Sequence, residues 1–137
     1  MDIVENGLTW EIYDSIRRYA DMQIYEKEDI MKALNNTLYS TVIYDKDKPI
    51  AIGRVVGDGR IVFFIKDVVV HPEYRKNHIG DMVVNNLLDY IEKVSCKNPY
   101  IGLMAMPNTE EFYKRFGFIE RPNPRFGAGM ICLERKR

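Results

Sequence analysis

Apolar residues recur along this chain with two different periods, and the change of period is sharpest within residues 61–94. Ile61 to Val70 reads IVFFIKDVVV, a series of β-branched and aromatic residues that suits a buried strand. Pro72 lacks the N–H that a ladder needs, so the strand is predicted to end near His71. From Ile79 the step lengthens. Ile79, Met82, Val83, Leu87, Tyr90, Ile91 and Val94 recur every three or four residues, which lays one apolar stripe along a helix over 79–94. A helix that opens so soon after a strand directs its unpaired first-turn N–H groups at the strand end, and its dipole favours an anion there. Arg75 and Lys76 add positive charge at the same place. The pattern predicts a phosphate seat.

The remaining pattern fills in around this unit. A short strand is predicted near Ile3 to Leu8, with Thr9 capping a first helix whose stripe is Ile12, Tyr13, Ile16 and Ala20. A second helix runs from about Glu26 to Asn35-Asn36. TVIYDKDKPIAIGRV reads as two strands joined at Asp45 to Lys48, and Gly57-Asp58-Gly59 marks another turn. Beyond the 79–94 helix come a strand from Tyr100 to Ala105, a short helix containing EEFYKRF that stops at Gly117, and a final strand from Met130 to Leu133. The crossover helix should make its two flanking strands parallel. These elements predict one α+β (mixed α/β) domain over 1–137, a twisted mixed sheet of about six or seven strands flanked by about four helices.

Composition narrows the partners. Twenty basic and twenty acidic residues balance, so no global field recruits nucleic acid or an anionic membrane. An apolar share of 46% is that of a globular protein with a real core. Cys96 and Cys132 lie in no metal-ligand spacing and read as reduced, mostly buried thiols, and no metal is expected. With no signal-like N-terminus and no spanning stretch, the expected location is the cytoplasm.

Two motifs point to a family. Val68 to Gly80, VVVHPEYRKNHIG, resembles the acetyl-CoA signature of the GNAT superfamily of N-acetyltransferases: a strand, then Gln or Arg, two variable residues, Gly, one variable residue, and Gly or Ala. Phe112 to Phe118, FYKRFGF, resembles the superfamily's tyrosine helix followed by Gly-Phe. The order of elements is similar from end to end. In two places the chain departs from the pattern. His78 stands where the signature has its first glycine, and Asn108 lies nearer to Tyr113 than the leading Asn does in many members.

The resemblance implies that acetyl-CoA is a co-substrate. The main chain of Val68, Val69 and Val70 would pair with its pantetheine arm as an added strand. The amides of Lys76, Asn77, His78, Ile79, Gly80 and Asp81 would hold the pyrophosphate with Arg75 nearby, and Asn108 would be a further contact. It implies direct transfer of the acetyl group to a primary amine of a small molecule or peptide. The N–H of Val70 would steady the developing oxyanion, and Tyr113 would be the general acid. Asp67 lies inside an apolar strand, where an unpaired carboxylate is costly, so it reads as a base or as an acceptor for nearby backbone N–H groups. His71 has a suitable intrinsic pKa, but His before Pro at a strand end is also an ordinary turn residue. Tyr25, Tyr39, Arg125 and Phe126 are candidates to line the acceptor pocket, with the loop RPNPRFGAGM fixed by its Pro and Gly residues. A monomer or a homodimer fits. The alternative reading is a non-catalytic acyl-CoA-binding module.

Overall fold

The computed structural model describes residues 1–137, which divide into two compact units, Met1–Gly102 and Leu103–Arg137. The first unit contains a mixed sheet of β1 (Asp2–Glu5), β2 (Tyr39–Asp45), β3 (Lys48–Gly57), β4 (Val62–Val70) and β5 (Tyr100–Gly102). The strands lie side by side in chain order. Neighbours are antiparallel except β4 and β5, which run parallel because helix α3 (Ile79–Val94) carries the chain between them. Helices α1 (Trp10–Tyr19) and α2 (Lys27–Asn35) lie between β1 and β2 in the chain, and α4 (Glu110–Lys114) belongs to the second unit.

Local chemistry explains the boundaries. Thr9 Oγ1 accepts the N–H of Ile12 and caps α1. The Asp58 carboxylate accepts the N–H groups of Arg60, Ile61 and Val62 and closes the β3–β4 turn. Those three donors hold its carboxyl below the usual carboxylate range. The two faces of the sheet are filled differently. Tyr13, Ile16 and Ile30 pack with Val42, Ile52 and Val69 on the α1–α2 side. On the other side α3 contributes Val83, Val84, Leu87 and Ile91, all fully buried. Gly53 lets α3 approach: a Cβ there would stand 2.6 Å from Val83 Cγ1 and 3.0 Å from Leu87 Cδ1. No helix is long and apolar enough to cross a membrane.

The sheet has five strands instead of the expected six or seven. The strand predicted over Tyr100 to Ala105 stops at Gly102, and Met130 to Leu133 form no strand. A strand is stabilised by its ladder, and the β-prone residues Met130, Ile131 and Leu133 pair with nothing in this chain; Leu133 is 91% exposed. Cys132 is therefore exposed and not a buried thiol, while Cys96 is half-buried; both are free. β1 also ends earlier than predicted, because Asn6 turns with φ +56 and donates its N–H to Ser40 O.

Candidate functional site

β4 is paired on both sides only at Phe63 and Phe64. Toward β3 the ladder runs from Gly57↔Phe63 to Arg54↔Lys66, then resumes at Ile52↔Val69. Two residues of β4, Asp67 and Val68, therefore face the single Gly53, which is a β-bulge, and Asp67 takes the left-handed φ of +55. Toward β5 the ladder ends at Phe64↔Gly102. From Ile65 to Val70 that edge of β4 has no strand partner, so alternate N–H and C=O groups there are left without a ladder.

The strand then feeds the basic turn. His71 N–H donates to Ile50 O, and its Nδ1 accepts the N–H of Glu73, closing a single 3-10 turn at Pro72–Tyr74. The buried imidazole lies 4.4 Å from the Tyr19 ring and 5.9 Å from the Tyr74 ring, while the Tyr74 hydroxyl donates to Asp45 Oδ2. His71 is thus a turn residue whose Nδ1 is occupied. Arg75, Lys76, Asn77 and His78 are exposed. Lys76 (φ +71) and His78 (φ +61) both adopt left-handed backbone, and such residues turn successive N–H groups into a concavity for an anion. His78 caps α3 without a side-chain hydrogen bond, leaving the first-turn amides of Ile79 and Gly80 to point out of the helix. Where the signature has glycine, His78 keeps the backbone conformation that glycine would supply.

Behind the bulge lies a charged cluster on the α1 side. Asp67 Oδ2 accepts from Arg54 Nε at 2.7 Å and from the Tyr13 hydroxyl at 3.1 Å, and Arg17 Nε stands 3.3 Å from Oδ1. The side chains of Arg17, Arg54 and Asp67 are 9%, 12% and 2% exposed. Arg17 Nη1 also donates to Gln23 O, and Arg54 Nη1 to Thr37 Oγ1. Burial, and then the Asp67 charge, push the Tyr13 phenol up to about 12. The premise that Asp67 is an unpaired carboxylate is corrected. Two guanidiniums and the Tyr13 hydroxyl surround it, and it anchors the bulge. Arg17 and Arg54 were missed in the sequence, although each breaks an apolar run: Arg17 lies four residues beyond Tyr13 on the α1 stripe, and Arg54 follows Ile50 to Gly53 in β3.

Tyr39 and Tyr25 part company. Tyr39 is buried, its hydroxyl held by Glu5 Oε1 and the Asn86 side chain and its ring stacked on Tyr90 at 4.4 Å. Burial and Glu5 raise its pKa strongly. It packs the sheet and is not free to line a pocket. Tyr25 is 43% exposed, with its ring centroid 5.1 Å from the Arg17 guanidinium carbon.

In the second unit Tyr113 is half-buried, edge-on to Phe112 at 4.9 Å and to Phe118 at 5.9 Å, and burial alone raises its pKa. Gly117 supplies the φ of +99 at the turn that leads to Phe118. Asn108, exposed at φ +69, lies just before the N-cap Thr109. The following loop is shaped by Asn123, whose Oδ1 accepts the N–H groups of Arg125 and Phe126, and by Arg121 Nε donating to Gly127 O. The guanidinium carbons of Arg125 and Arg121 lie 5.0 and 5.3 Å from the Phe126 ring centroid.

An open strand edge, a left-handed basic turn and a helix N-terminus without a side-chain cap follow one another along the chain from β4 to α3. The acetyltransferase (GNAT) family model matches residues 7–118, and the chain belongs to that family. The chain is 31% identical over 97 residues to GCN5-related N-acetyltransferase 1, chloroplastic, of Arabidopsis thaliana, covering 70% of this chain and 47% of that one. It is 29% identical over 92 residues to an uncharacterised N-acetyltransferase, ycf52, of Pyropia yezoensis, covering 65% of this chain and 52% of that one. The chain thus spans about half the length of these curated relatives. Among solved structures, a probable acetyltransferase of unknown function from meticillin-resistant Staphylococcus aureus is 32% identical, with a TM-score of 0.85 over 96% of this chain and 98% of the other.

Proposed function

We propose that this protein is an N-acetyltransferase that passes the acetyl group of acetyl-CoA directly to a primary amine of a small molecule or peptide in a ternary complex. The observation that carries the reading is the edge of β4, left without a ladder from Ile65 to Val70 and followed by the left-handed turn at Lys76 and His78. That arrangement fits the co-substrate, whose amide-bearing arm needs main-chain partners and whose pyrophosphate needs clustered N–H donors. Val68, Val69 and Val70 would hold the arm, and the amides of Lys76 to Asp81, with Arg75, the diphosphate. Asn108 is carried as a further contact. When bound, the thioester supplies an activated acyl carbon.

The chain's own residues then have defined tasks. The Val70 N–H donates to the acyl oxygen as negative charge develops there. Tyr113 gives its proton to the departing sulfur. Proton transfer from a phenol near ~10 to a thiolate whose thiol lies near ~8.5 is uphill by about 2 kcal/mol, and the raised pKa of Tyr113 adds to that while keeping the phenol protonated through the neutral range. The amine loses its proton to water, since the Asp67 carboxylate is engaged by Tyr13, Arg17 and Arg54. Tyr25, Arg125 and Phe126 are carried as acceptor contacts.

The test is release of free thiol from acetyl-CoA across an amine panel of polyamines, aminoglycosides, arylalkylamines, amino sugars and peptides. At least one class should accelerate release in proportion to acetylated product. Coenzyme A binding with no release by any amine would instead favour a non-catalytic acyl-CoA-binding module.

A further inference from the structure

We infer that the acceptor amine carries an anionic group, a carboxylate or a phosphate, which Arg17 and Arg54 hold beside the β4 bulge. The inference rests on the acetyl-transfer reading and narrows its substrate class. Its basis is a charge that the fold does not balance. Arg17 and Arg54 bring two formal positive charges, Asp67 returns one negative charge, and no other carboxylate pairs with either guanidinium. Asp21, Glu26, Glu28 and Asp29, the acidic residues nearest in sequence to Tyr25, are exposed. Tyr13 stays neutral because its phenol is pushed up to about 12. One uncompensated guanidinium remains where its side chain is nine-tenths removed from water, a costly state unless a counter-charge arrives.

The pairing is also incomplete. Arg54 and Tyr13 both donate to Asp67 Oδ2, whereas the buried Arg17 Nε, though 3.3 Å from Oδ1, makes no hydrogen bond. If anchoring the bulge were the whole task, the Arg54–Asp67 pair would already serve it. Arg17 instead lies between aromatic rings, with its guanidinium carbon 5.0 Å from the Tyr13 centroid and 5.1 Å from the Tyr25 centroid. Tyr25 belongs to the segment between α1 and α2 and is the exposed wall of this cage. Its Nε faces Asp67 and its Nη1 donates to Gln23 O, so what Arg17 offers an incoming carboxylate or phosphate is its positive charge and the remaining N–H donors of its guanidinium.

Position sets the size of the substrate. Asp67 precedes Val70 by three residues, about 10 Å of strand at ~3.3 Å per residue. An anion at Arg17 and an amine attacking near the Val70 N–H then belong to one small molecule whose charged ends lie within that span, a class that includes amino acids and small phosphorylated amines.

The experiment compares thiol release with matched pairs, an amino acid against its carboxamide and phosphoethanolamine against ethanolamine. The wild type should favour at least one anionic member by tenfold or more in kcat/KM, and which pair responds tells carboxylate from phosphate. Arg17→Gln should erase the preference mainly through KM, and Arg17→Lys, which keeps the charge, should retain part of it and serves if the Gln variant does not fold. Release without preference, or faster release with the neutral members, overturns the inference while leaving acetyl transfer standing. If no amine supports release, the acetyl-transfer reading fails first, and a binding arm decides the rest. With excess coenzyme A present, inorganic phosphate should raise the Tm of the wild type more than that of Arg17→Gln, and equal shifts overturn the inference.

Discussion

Two charged regions flank the last residues of β4 and solve opposite problems. Before it, Arg17, Arg54 and Asp67 are buried and meet one another through side chains. After it, Arg75, Lys76 and His78 are exposed, and the polar groups on offer are largely main-chain N–H. The first region spends the Arg54–Asp67 pair on holding a bulge in place and keeps the charge of Arg17 over. The second keeps its donors open to whatever approaches. The difference teaches that the same residue types act as framework or as binding surface according to whether water or protein surrounds them. It follows that mutations in the two regions should fail in different ways.

The largest contrast comes from Asp67→Asn. It leaves two buried guanidiniums without a counter-charge and should lower stability by about 3–5 kcal/mol in urea denaturation. Arg75→Ala, at an exposed position, should change stability by less than about 0.5 kcal/mol while weakening acetyl-CoA binding several-fold. An Asp67→Asn protein as stable as the wild type would erase the distinction.

Tyr113→Phe asks whether the chemistry is separable from both regions. Turnover should fall by about 100-fold with little change in acetyl-CoA affinity, because only a proton donor is lost. Rates equal to wild type would remove Tyr113 from the reaction. His78→Gly probes the open region. Glycine takes a φ of +61 without the steric cost a side chain pays there, so stability should rise by about 1 kcal/mol, read as a higher Tm. Unchanged or lower stability would mean that the imidazole compensates for its backbone.

A smaller effect distinguishes the buried region by pH. The folded pKa of Tyr13 is raised above its unfolded value, so the folded state holds a proton that the unfolded state releases first. Its contribution is fully present below pH ~10 and is lost as pH rises toward 12. The stability difference between wild type and Tyr13→Phe should therefore be flat from neutral pH to about 10 and then shrink. A difference that stays constant through pH 12 would place Tyr13 outside the Asp67 cluster.

How much of this was legible in the sequence follows the same division. The α3 helix was read at its true limits, because its stripe is long and a capping turn precedes it. The parallel pairing of the two strands flanking the crossover also followed from pattern. The left-handed turn at Lys76 and His78 falls where the pattern placed a turn between strand and helix, since it depends on backbone and on element order. The Asp67 cluster could not. Its partners lie 13, 50 and 54 residues away in the chain, and no periodicity links Tyr13, Arg17 and Arg54 to one carboxylate. Asp67 therefore looked unpaired, and Tyr39, whose partners Glu5 and Asn86 lie 34 and 47 residues away, looked available. The Met130–Leu133 strand failed for a related reason. Propensity proposes a strand, but only a partner makes one.

The most direct test of the central claim is an amide-resolved NMR titration of the protein with coenzyme A. The account predicts that the largest shifts fall on the main-chain N–H groups of Val68 to Val70 and Lys76 to Asp81, with the Arg17 and Arg54 amides moving less. Saturable binding that leaves the amides of 68–70 and 76–81 unmoved would contradict it.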